Sequence, residues 1–194
     1  GPLLEAARLL YEGPWVAERY AAIESMLETK PEAVHEVVRG IIESAKDKDA
    51  VAAFKAEYAL QESRVYAEQL LGQVDFLLSP TAPRSYTVEE LLDDPVRLNS
   101  NMGFYTNYMN LLDLCGLAIP AGFLDSGAGF GVTLIAPRFR EMSLLSHASA
   151  WEQAVALPMG AMQQTYSRGE ELALVATDQR VEVAVCGAHL SGMP

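Results

Sequence analysis

The sequence predicts an α/β layer fold with its helices early and its strands late, on three observations. Amphipathic stretches at helical spacing fill the first third. Short apolar runs closed by proline or glycine begin only at Phe76. Half of the 194 residues are hydrophobic and 21% are charged, so the chain has the means to bury a real core and lacks the composition of disorder.

Taken in order, "LLEAARLLYE" carries apolar residues on one helical face and is stopped by Gly13-Pro14. "WVAERYAAIESMLET" then resumes with Pro14 placed for a first helical turn, so two helices meet at a sharp corner. Pro31 starts a helix over "PEAVHEVVRGIIESA". A long amphipathic helix follows in "DAVAAFKAEYALQESRVYAEQLLGQV", with Val51, Phe54, Tyr58, Val65 and Leu70 as its apolar row.

At Phe76 the pattern changes, and "FLLSPTAP" reads as a buried strand leaving the core. Thr87 and Glu90 are spaced to cap a small helix reciprocally. The pair Asp93-Asp94 before Pro95 reads as a loop end. A helix over residues 104–114 leads to a strand at Leu117, Ala118 and Ile119, and "GFGVTLIAP" makes another strand. The short "DSGAG" turn between these two makes them an antiparallel pair. "EMSLLSHASAWEQAV" returns to helix. Residues 158–170 read as a linker, and "ELALVAT" with "VEVAVCGA" as a first hairpin of something further, too small to bury a core alone.

Charge and composition remove several classes of function. With 14 basic against 26 acidic residues the net charge is −12, which repels a phosphate backbone, so nucleic acid is not an expected partner. No apolar run approaches the roughly 18 to 20 residues of a membrane span. The first residues lack the basic-then-apolar order of a signal peptide, and a cytoplasmic protein is the simplest expectation. Cys115 and Cys186 sit in apolar company as small hydrophobes. His35, His147 and His189 have no metal-ligand spacing, so neither a metal nor a cofactor is expected.

Candidate chemistry is sparse. "GAGFGV" lies between strands and opens no helix, which makes it a turn and not a phosphate cradle. Ser143 and His147 are four apart on a helix but lack a placed acid. The corner "LLYEGPWVAERY" is different. Tyr11 and Arg19 could face one pocket from two helices, and Arg19 offers a planar fork of donors suited to a carboxylate. Spacing alone favours a surface ion pair for Arg19 and a core place for Tyr11.

"FLLSPTAP", "YTNYMNLLDLCGLAIPAGF", "GFGVTLIAP" and "LLSHASAWEQA", in this order, resemble the C-terminal half of the amidase domain in the amidase-signature family, over most of residues 3–157. Within it, "LLYEGPWVAERY" and the ending "GAHLSGMP" resemble the allophanate hydrolases, whose amidase domain is followed by a second domain; residues 171–194 would be its beginning. The resemblance implies part of an α/β/α sandwich with a mixed sheet, a homodimer, and hydrolysis of allophanate with release of ammonia by a Ser-cisSer-Lys triad. It also implies a structural role for residues 107–122, with Asn110 and Asp113 fixing the approach of helix to sheet. The strand ending at residues 120–122 would lie close to the substrate pocket.

The Gly/Ser-rich signature that carries the serines is absent, and Lys30, Lys46, Lys48 and Lys55 lack the family's catalytic context, so the triad is expected upstream of residue 1. Carried over residue by residue, Tyr11 and Arg19 match the substrate-recognition motif: the arginine would pair with the carboxylate of allophanate and the tyrosine would hydrogen-bond the substrate. This chain would then supply pocket walls and an anion clamp to the remainder of the amidase domain. Two further readings stay open, a non-catalytic amidase-like binding or assembly module and an amidase for another small amide. The role of His189 is open as well.

Overall fold

The computed structural model describes residues 1–158. All of the expected linker but Pro158, and the hairpin at 171–194 with Cys186 and His189, lie outside the described residues. Three strands, β1 (Leu77–Pro80), β2 (Leu114–Phe123) and β3 (Gly129–Pro137), form an antiparallel sheet in the order β1-β3-β2. The tight turn after β2 makes the expected hairpin, and Leu117 pairs with Leu134 while Leu77 pairs with Ile135 on the other side of β3. Ala121 is the extra residue of a bulge in β2, and Gly122 beside it adopts φ 149°, a conformation open to glycine.

Successive side chains on a strand point to opposite faces, and β3 builds two cores this way. Ile135, fully buried, packs with Ala6 and Leu10 of α1 (Pro2–Tyr11), Leu60 and Ala67 of α4 (Ala50–Leu71), and Tyr108 and Leu111 of α7 (Tyr108–Leu111). Val132, Leu134 and Ala136 pack on the other face with Leu144 and Ala148 of α8 (Glu141–Val155). The sheet therefore lies between helical layers, the α/β/α order that the resemblance implied. The remaining helices are α2 (Val16–Thr29) and α3 (Glu36–Glu43), which pack on each other, and α5 (Val88–Asp93) and α6 (Pro95–Met102), which do the same. Thr87 and Glu90 form the expected capping box of α5.

Several local expectations are corrected. Pro14 sits in the turn ahead of α2 and not in its first turn, since the helix begins at Val16. The single helix from Pro31 is broken. Pro31–Ala33 is a 3-10 turn, Val34 is extended, and the His35 ring nitrogen accepts from the Val37 amide to start α3 afresh. Asp94, read as a loop end, caps α6, with Pro95 ideally placed at its first position. Of the helix expected over 104–114, only α7 is α-helical. Strand β2 is correspondingly longer than expected.

The largest correction concerns α4. Its expected apolar row faces outward: Val51, Phe54, Tyr58 and Val65 are 54–65% exposed. The face against the core carries Ala56, Leu60, Ser63, Ala67 and Leu71. Ser63 is satisfied there by donating to the Ala59 carbonyl at 3.0 Å.

Residues 107–122 are architectural, as the resemblance implied. Asp113 takes a left-handed φ of 55° to turn α7 into β2, and its carboxylate holds Arg138 at 2.9 Å. Asn110 is exposed and makes no side-chain hydrogen bond among the described residues. The polar tie comes from Arg64 of α4, whose guanidinium donates to the Leu111 carbonyl at 3.1 and 3.2 Å.

Because Ile135 joins three helices to the sheet, Ile135→Ala in the intact parent protein should cost about 2–5 kcal/mol of stability, read by denaturant unfolding. A loss below about 0.5 kcal/mol would mean that this core does not seat the helices on the sheet.

Candidate functional site

The site is built on the α1–α2 corner. Helix α1 ends at Tyr11, and the amides of Glu12 and Gly13 both donate to the Arg8 carbonyl, at 2.8 and 3.2 Å. The chain passes so closely that a Cβ at Gly13 would fall on the Leu9 carbonyl oxygen and lie 2.8 Å from the Leu9 Cα. Pro14 needs no amide partner, and its carbonyl accepts from Ala17 at 2.9 Å to open α2. Leu10 and Val16, both buried, pin the two sides of the turn.

From this pinned turn Tyr11 and Arg19 emerge together. The Arg19 guanidinium carbon lies 5.3 Å from the centroid of the Tyr11 ring, a stacked cation–π arrangement. The sequence expectation that two helices bring these residues together is met. They are exposed and line neither the depression at Gly1, Leu9 and Ser63 nor the one at the end of the sheet.

Among the described residues the charge on Arg19 has no carboxylate counterpart. Arg8, Arg84, Arg97 and Arg138 each pair with a carboxylate, and Arg39 and Arg64 donate to backbone carbonyls. Among the described residues no carboxylate or carbonyl accepts from Arg19, so it is not the surface ion pair that spacing alone allowed. The guanidinium lies over the Tyr11 ring and has no hydrogen-bond acceptor among the described residues, so its planar donors are of a kind able to take a carboxylate.

One contact at this corner has no signal in sequence spacing. Lys48 Nζ donates to the Glu12 carbonyl at 3.0 Å, across 36 residues. Titration elsewhere is tuned by local contacts. A hydrogen bond from the Thr87 backbone holds Glu90 below the usual carboxylate range, Glu43 raises Lys46, and burial raises the Tyr108 phenol. No cluster of metal-ligating side chains occurs among the described residues.

A second region bears on function. An open depression of about 580 Å³ lies at the end of the sheet, where Thr81, Arg84, Pro120, Gly122 and Phe130 meet. Trp151 of α8 steadies β2 there by donating its indole N–H to the Pro120 carbonyl at 2.9 Å. The resemblance implied a pocket near the end of β2 but did not name Arg84, which pairs with Glu90 and lies over the ring of Tyr86.

The family model "Amidase" matches residues 8–145. Urea amidolyase of Saccharomyces cerevisiae is 43% identical over 206 residues, covering 100% of this chain and 11% of that protein. Two solved structures are similar over 100% of the chain. Urea amidolyase of Kluyveromyces lactis gives a TM-score of 0.86 at 39% identity and is covered over 12% of its length. Allophanate hydrolase of the same yeast gives 0.84 at 41% identity and is covered over 33%. The chain thus spans a third of that allophanate hydrolase and about a tenth of the urea amidolyases.

The corner's geometry yields a direct expectation. Gly13→Ala must displace the Leu9 backbone or the turn, and should lower stability by about 1–3 kcal/mol in a thermal or denaturant melt of the parent protein. An unchanged melt would show that the corner relaxes without cost.

Proposed function

Because the chain belongs to the amidase family, we propose that it is the C-terminal half of the amidase domain of an allophanate hydrolase, residues 1–157. It is joined through residues 158–170 to the start of that enzyme's second domain at 171–194. The observation that carries this reading is Arg19: a permanently charged fork, steadied by Tyr11 and without a protein acceptor among the described residues, on a chain that resembles an allophanate hydrolase over its whole length.

In this reading the parent enzyme hydrolyses allophanate. A serine supplied by the upstream polypeptide attacks the terminal carbonyl, lysine acts as base through the middle serine, the C–N bond breaks and ammonia leaves. Water then frees the acyl group, and the second domain processes the carboxylated product onward to carbon dioxide. The present chain contributes recognition. Arg19 receives the substrate carboxylate in a two-pronged hydrogen bond and Tyr11 donates its phenol to the substrate. The depression at the end of the sheet supplies a wall.

The same proposal includes cytoplasmic urea degradation by a homodimer. Among the described residues the outward row of α4 and the outer edge of β2 have no partner, which supports a chain that works packed against the remainder of its domain and a second subunit.

Arg19→Lys in the parent enzyme replaces a fork by a point charge, and ammonia release from allophanate should fall about 10- to 100-fold in kcat/KM. Wild-type kinetics would remove Arg19 from the site. The isolated 194 residues should release no ammonia at all, and turnover by them would place a nucleophile in this chain.

A further inference from the structure

We infer that Lys48 is the positioning residue of the anion clamp, acting through the backbone of Glu12; this rests on the proposed role of Tyr11 and Arg19. Glu12 is the C-terminal cap of α1, between Tyr11 and Gly13, and its carbonyl belongs to the set a helix leaves without an internal partner. Lys48 fills that place with a cation at the negative end of the helix dipole.

The corner has little else to hold it from outside. Trp15 starts α2 without a side-chain cap. Apart from Lys48, no side chain of another element hydrogen-bonds residues 11–19 among the described residues.

The brace itself is anchored. Lys48 ends the 3-10 turn Ser44–Asp47 and directly precedes Asp49, whose carboxylate caps α4 by accepting from the Ala52 amide at 2.7 Å. Its backbone is therefore tied to the helix that packs against α1 in the core, and its side chain is half-buried. The same turn grips the other side of the corner. Lys46, fixed by Glu43 at 3.0 Å, lies over the ring of Tyr20 at 5.4 Å, and Tyr20 is the neighbour of Arg19. One short turn thus sets the C-terminal end of α1 by a hydrogen bond and the flank of α2 by a ring contact. Tyr11 and Arg19 stack only if these two helices keep their relative placement.

A tie of this kind acts on substrate capture more than on global folding. In the parent enzyme Lys48→Met, which keeps the stem and removes the donor, should raise KM for allophanate about tenfold while kcat falls by less than about twofold. Lys48→Arg should restore most of the loss. The melting temperature should stay within about 2 °C of wild type, the size expected for a partly exposed contact. An unchanged KM in Lys48→Met, beside a raised KM in Arg19→Lys, overturns the brace and leaves the clamp standing. Wild-type kinetics in both variants overturns the clamp itself. A parallel loss of kcat and melting temperature without rescue by arginine makes Lys48 a general stabilising contact and overturns the inference. Should Lys48→Met not fold, Lys48→Leu, which also lacks a donor, decides by the same measurements.

Discussion

The seating of Leu10 is the constraint on which both the fold and the site depend. Leu10 is nearly buried among Leu60, Ala67 and Ile135, and Tyr11 follows it immediately. Neighbouring helical residues are about 100° apart around the axis, so once Leu10 points into the core the direction of Tyr11 at the rim is set. The α1–α2 turn then starts from a fixed place, with Val16 buried on its far side. Arg19 lies one helical turn beyond Val16, and both sides of the proposed clamp are thereby referred to one core. Binding geometry of this kind is intolerant: displacement by about 1 Å in a positioning element can cost on the order of a hundredfold in rate. Stability and recognition are therefore coupled through α1.

That seating requires α4 to come close, and this explains its reversed face. Helix axes approach to about 8–10 Å according to the side chains between them. Ala56, Ser63 and Ala67 are small, with Leu60 as the one large residue of the central row, so α4 can lie against α1 and the sheet. Phe54 or Tyr58 on that face would push it away. Large apolar residues carry most weight in any reading of periodicity, and here they mark the exposed side. The row of small residues is the weaker signal in sequence and the one that packs. An exposed aromatic row this long also fits a chain that covers only a third of the length of a solved relative.

What could be read from sequence follows the range of the interaction responsible. Elements set by local chemistry were legible: the Gly13-Pro14 break, the Thr87-Glu90 capping box, the hairpin of β2 and β3, and Cys115 as a buried thiol. The Tyr11–Arg19 pair was legible too, because the break and the eight-residue spacing lie within one motif. Helix starts were harder where an unusual group caps them, as His35 does for α3. Ties between distant segments were not legible at all. Arg64 on the Leu111 carbonyl and Lys48 on that of Glu12 each join a side chain to a backbone atom, and a backbone atom leaves no mark on residue identity. Openness was hidden as well: two residues can be brought together by sequence-local geometry while the surface opposite them is contributed by other polypeptide.

The overall charge explains why one open arginine matters. A net charge of −12 repels a small anion at long range, and at physiological salt that field is screened beyond about 8 Å. Capture must then be decided at contact distance, by a cation not already neutralised. Arg140 is the other described arginine without an acceptor among the described residues, but it has no aromatic ring there to orient it, whereas Arg19 lies over Tyr11. An unoriented guanidinium gives up side-chain freedom when it binds, and a stacked one has already given up part of it. Among the described arginines Arg19 thus combines a free donor set with an aromatic partner, which is why the proposed anion clamp is placed at the corner that Leu10 seats from within.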